Sequence, residues 1–146
     1  MDRSRLAGDY FLQGYSCSQA VLLAFGDLTG LSESVALRLA SSFGGGISGM
    51  RQTCGCISAA AMVLGMVQGF EQPDLNAKKE HYRRVRAAFE PFLERHGTVV
   101  CSELLKSVSA EFHNDPMPRT PEYYQKRPCL RLVEETASLL QSYLES

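Results

Sequence analysis

The chain has 146 residues, 45% of them hydrophobic, and a formal net charge of −1. That length suits one domain whose apolar core needs no disulfides to form. The near-neutral charge excludes the basic footprint of a nucleic-acid binder, so no nucleic-acid partner is expected.

Arg3 to Gln13 carries Leu6, Tyr10 and Phe11 at helical spacing, and Gly14 stops the run. Ser16-Cys17-Ser18-Gln19 matches a capping box and opens a helix through Ala20, Val21, Leu23, Ala24 and Phe25, with Cys17 in its first turn. Ser32 with Glu33 caps a third helix bearing Val35, Leu37, Leu39 and Ala40. Phe43 to Gly49 is a glycine-rich loop. Thr53 or Cys54 opens the next helix, which runs to about Gln68 and ends at Gly69. Its Ile57, Ala60, Met62, Val63, Leu64, Met66 and Val67 make it apolar on nearly every side, the mark of a buried central helix near 55–68.

Asp74 or Asn76 then opens a longer, charged helix. Val85, Ala88, Phe89, Phe92 and Leu93 form its inner face, Pro91 should bend it, and Gly97 ends it. Thr98 caps a short helix holding Cys101, Leu104 and Leu105. Ser107 to Arg119, with Asn114-Asp115-Pro116 and Pro118, reads as a loop. Thr120-Pro121-Glu122 starts a brief helical turn, and Pro128 opens the final helix with Cys129 beside it. With no alternating strand pattern, repeat or linker, the expectation is an all-α, single-domain helical bundle over 1–146.

The N-terminus lacks an apolar stretch of signal-peptide length. The longest apolar run, Cys56 to Val67, is shorter than the roughly 20 residues a bilayer requires. A cytoplasmic protein with no membrane insertion is therefore expected. In that setting clustered cysteines serve metals or redox chemistry more often than structural disulfides.

Four of the five cysteines, Cys17, Cys54, Cys101 and Cys129, fall where helices should begin. Free N–H groups and the helix dipole favour a thiolate there. If those helix starts meet, four thiolates could hold zinc or an iron–sulfur cluster. No C-x-x-C knuckle supports this by spacing, and a helical binding module with packing cysteines is an alternative. In Cys54-Gly55-Cys56, residues two apart on a helix point apart. Cys54 is then the site thiol and Cys56 a packing residue; if the stretch is still loop, Cys56 becomes a further candidate ligand. A metal-free dithiol protein also fits, with Cys54 as the redox thiol and Cys17, Cys56, Cys101 or Cys129 resolving.

Gly44-x-Gly46-x-x-Gly49 has the letters of a dinucleotide fingerprint, but a helix and not a strand precedes it, so that reading is rejected. The glycines read instead as a tight loop that brings backbone close to Cys54. Arg51 and Thr53 beside it could stabilise an anionic site, with a solvated Arg51 the simpler reading, and His96 reads as complementing a helix C-terminus. Lys78 to Arg86 reads as a solvated face with Glu80 and Arg84 at i,i+4.

Cys17-Ser18-Gln19-Ala20-Val21, Phe43-Gly44-Gly45-Gly46, Cys54-Gly55-Cys56-Ile57-Ser58-Ala59, Val100-Cys101-Ser102-Glu103-Leu104-Leu105 and Pro128-Cys129 together resemble the C_GCAxxG_C_C family of redox-active proteins. The resemblance covers nearly the whole chain and aligns the family's four cysteines with Cys17, Cys54, Cys101 and Cys129. It departs where the family has Ala, here Cys56, and Gly, here Ala59. It implies an all-helical domain with a redox role. The chain is also similar to the cysteine-bearing part of split-Soret cytochromes, which implies a [2Fe–2S] centre, although no C-x-x-C-H haem site is present. A redox partner is implied without being named, and the oligomeric state, a homo-oligomer included, is left open.

Overall fold

The protein is described by a computed structural model covering residues 1–146. Helix α1 (Arg3–Leu12) starts at Asp2, whose carboxylate accepts from the Arg5 N–H at 3.1 Å. Helix α2 (Cys17–Leu23) carries the expected capping box in both directions: Ser16 Oγ accepts from the Gln19 N–H, and Gln19 Oε1 accepts from the Ser16 N–H. Ser32 caps α4 (Glu33–Ala40) as expected. Helix α5 (Gly55–Gln68) follows, then α6 (Leu75–His96), capped by Asp74 and closed by Gly97 in the left-handed region at φ 71°. Helix α6 runs on through Pro91. The last three are α7 (Cys101–Lys106), α8 (Pro121–Lys126) and α9 (Cys129–Glu145).

The helix expected to run through Phe25 stops at Leu23, and a separate turn, α3 (Gly26–Thr29), follows. The cause is long-range. The buried Arg3 guanidinium donates to the Ala24 carbonyl at 2.8 Å and grips Asp27 with both Nη atoms, at 2.7 and 2.9 Å. It also lies 4.8 Å from the Phe25 ring centre. Charge-assisted bonds of this kind outweigh one more helical turn.

Helices α1 and α9 pack along each other, and α2 lies between α1, α4, α5 and α9. Phe11, Phe25, Phe92, Leu22, Leu64, Val21, Val63 and Val133 are fully buried in the core between them. Helix α5 is central through Leu64, where Cys56, Ile57, Ala59, Ala60, Val63 and Leu64 are buried. Its last turn departs from the expectation of all-round burial: Met66 and Val67 are exposed, although Tyr143 of α9 donates to Gln68 there at 3.4 Å. Two caps also differ. Val100, not Thr98, precedes α7; Thr98 Oγ1 accepts from the Val100 N–H at 3.0 Å and donates to Glu103. His96 does more than face a helix end, since its Nε2 meets Glu135 of α9 at 2.7 Å.

The glycine-rich loop is a left-handed turn. Gly45, Gly46, Ile47 and Ser48 all have positive φ, from 49° to 67°. For Ile47, a β-branched residue, this is strained backbone that the surroundings must hold in place. They do so through backbone bonds from Arg51 to Gly45 O at 3.0 Å and from Gln52 to Gly46 O at 2.9 Å. Gly46 cannot be replaced without movement, because a Cβ there would stand 2.5 Å from the Gln52 nitrogen.

Candidate functional site

One cavity of about 450 Å³ is lined by all five cysteines. Local structure explains the convergence. Cys17, Cys101 and Cys129 are the first residues of α2, α7 and α9, and Cys54 is the residue before α5. A single antiparallel bridge, Thr53 to Val100, ties two of those starts together. Within it the Cys54 N–H donates to Val99 O at 2.7 Å, and the Cys101 N–H donates to Gln52 O. Ser18, buried at the start of α2, donates to Ala40 O at 2.9 Å and so fixes Cys17 against the end of α4. The sequence reading placed each of the four cysteines at a helix start, and the fold brings all four to one cavity.

Cys17 sits over Gly55. A Cβ on Gly55 would lie 2.6 Å from the Cys17 sulfur and 2.8 Å from Phe43 O, so glycine is what admits the thiol. The Cys56 thiol and the backbone at Gly45 and Ser18 are the neighbours that act on Cys17. The Cys56 contact is the largest influence and, with those backbone bonds and the charge of Arg119, it outweighs burial and lowers the Cys17 thiol to about 7.

The structure places Cys56 in the hydrophobic core, as the packing reading had it. It is buried, but it lines the cavity and contacts both Cys17 and Cys54. Hydrogen bonding to Cys17, then to Cys54, then burial all raise its pKa, so Cys56 holds its proton. Burial raises the Cys101 thiol, against Arg51. Burial also pushes Cys129 up to about 12, helped by Cys17 and Cys54 and opposed by Arg127.

The structure favours the other reading of Arg51, beside the site. It is not simply solvated. Its Nη1 points at the Cys101 sulfur at 3.7 Å, while Nε and Nη2 donate to His113 O at 3.1 and 2.6 Å. Arg119 and Arg127 also line the cavity and were not identified from sequence. Arg119 donates to Phe11 O at 2.8 Å and Tyr15 O at 2.9 Å, with its guanidinium 3.9 Å from the Phe11 ring centre. Those partners lie 108 and 104 residues away, so no local pattern could reveal them. Arg127 is buried beside Tyr123, with its guanidinium carbon 5.3 Å from the ring centre. None of these three cations has a carboxylate partner within ion-pair distance, although Asp115 is among the residues of the same wall.

All five cysteines are free thiols in this arrangement. No three His, Cys, Asp or Glu side chains are grouped closely enough to hold one metal ion. The exposed carboxylate Glu80 pairs with Arg83 and Arg84, as a solvated face should. No helix is long and apolar enough to cross a membrane.

These features define an all-helical protein whose cysteine-bearing helix starts face a common, cation-edged cavity. The family described as "Putative redox-active protein (C_GCAxxG_C_C)" matches residues 15–143, and the chain belongs to it. No curated protein and no solved structure matches the chain. The family description points to redox activity.

Proposed function

We propose that the protein is an electron-transfer or redox-sensing protein whose Cys17, Cys54, Cys101 and Cys129 hold an iron–sulfur cluster. The observation that carries this reading is that four helix starts each deliver one cysteine to one cavity. The donor set fits the group. Four thiolates around a cluster bring net negative charge, and the helix N-termini with Arg51, Arg119 and Arg127 supply the opposing charge. A [2Fe–2S] centre would supply reversible one-electron chemistry there. A single zinc ion is less well supported, because it needs its donors drawn tightly around one point, and they are not so grouped.

The chain's own residues have separable roles in this reading. Backbone hydrogen bonds at Gly45 and Ser18 favour Cys17 as a thiolate. Arg51 stands beside Cys101, and Arg127 favours ionisation of Cys129. Cys56, protonated, is a neighbour and not a ligand. Single replacement of Cys17, Cys54, Cys101 or Cys129 by Ser should remove bound iron from anaerobically prepared protein, and Cys56→Ala should keep it. Full iron content in Cys101→Ser would contradict the assignment. A redox partner must exchange electrons with the cavity, and the protein is expected to act in the cytoplasm.

A further inference from the structure

The fifth cysteine has no place in a four-ligand set, yet it is buried in contact with two of the ligands. We propose that Cys56 is a resolving thiol for Cys17, so that a hydroperoxide reaching the cluster-free cavity produces a reversible Cys17–Cys56 disulfide. The inference rests on the cluster reading only in treating Cys17 as a ligand worth protecting.

Geometry selects Cys17 as the partner. Its sulfur lies against Gly55, the residue preceding Cys56, so closely that a Cβ on Gly55 would stand 2.6 Å away. Cys56, the next residue along, lines the same cavity as Cys17. Cys17 is partly exposed and lines the cavity, whereas Cys54 and Cys56 are buried at 6% and 1% exposure. An oxidant entering the cavity therefore meets Cys17 before the other two. Cys54 is the poorer partner for Cys56, because a bond between residues two apart would unwind the first turn of α5.

The steps balance. The Cys17 sulfur attacks the outer oxygen of the hydroperoxide, the O–O bond breaks, and the alcohol (water, for hydrogen peroxide) leaves with a proton. Cys17 is oxidised by two electrons to the sulfenic acid, and the peroxide is reduced. Cys56 sulfur then attacks the Cys17 sulfur, the S–O bond breaks, and the departing hydroxide takes the Cys56 proton to leave as water. A dithiol reductant reverses the bond by exchange and is itself oxidised to its disulfide. Without Cys56 the sulfenic acid has no such contact to close on, and further peroxide carries it to the irreversible sulfinic acid.

The test uses the full-length, metal-free protein with a small excess of hydrogen peroxide, followed by peptide mapping and thiol recovery with dithiothreitol. Wild type should yield a Cys17–Cys56 disulfide and recover its thiols. Cys56→Ala and Cys56→Ser should both lack that bond and accumulate sulfinic acid at Cys17. A different cysteine pair in wild type, no disulfide, or equal thiol recovery in wild type and both variants would overturn the proposal. Iron content of anaerobically purified wild type and Cys56→Ala decides the cluster reading separately.

Discussion

At the scale of single residues, the site depends on Gly55 as much as on its cysteines. Its missing side chain makes room for the Cys17 sulfur and for Phe43 O. Gly55→Ala should push Cys17 out of place and cost about 1–3 kcal/mol, the usual penalty for overpacking a close contact. Denaturant titration of the metal-free protein reads that cost; unchanged stability would show that the sulfur has room to move. The cysteines themselves were legible in sequence because capping signals are local: Ser16 and Gln19 mark the start of α2, and Pro128 marks that of α9. The arginines were not. Arg119 finds its partners in Phe11 and Tyr15 through chain reversal alone, and Arg51 lies in a left-handed conformation at φ 60° that no periodicity announces.

At the scale of elements, the break between α2 and α3 shows how a distant charge edits a local pattern. Asp27 is held below the usual carboxylate range by its bond to Arg3, then by that charge. A depressed carboxyl stabilises the fold above its unfolded value, near about 4, and the benefit is lost as pH falls through the lower folded value. Asp27→Asn should therefore cost about 0.5–1 kcal/mol at neutral pH, a figure discounted because Asp27 is half exposed. The gap between variant and wild type should close in acid. Paired unfolding curves from neutral pH down to about pH 2 measure it, and a gap that stays constant would mean that the ion pair is not its source. The same scale explains the glycine-rich segment. Its letters allow a loop, but the left-handed turn at Gly45 to Ser48 is set by backbone bonds from residues 51 and 52. Helix α5 was readable as central from composition, and its exposed last turn was not, because burial of Met66 and Val67 depends on whether another element covers them.

At the scale of the whole molecule, the helical bundle acts as a frame that gathers helix starts. Helices α1, α2, α5 and α9 provide the packed interior, and the short α7 is stitched to the segment before Cys54 by the Thr53–Val100 bridge. The all-α class followed from periodicity, while convergence of the cysteines required knowing which helix ends meet. The family match over residues 15–143 goes with a redox role, and the iron–sulfur proposal rests on the meeting of four cysteine-bearing helix starts at one cavity. Protein purified without oxygen should be assayed for iron, zinc and acid-labile sulfide per chain, with a visible spectrum recorded on the same sample. Iron with matching sulfide and a charge-transfer spectrum bleached on reduction is the expected result. Zinc alone, or no metal with all thiols free, would contradict the iron–sulfur assignment.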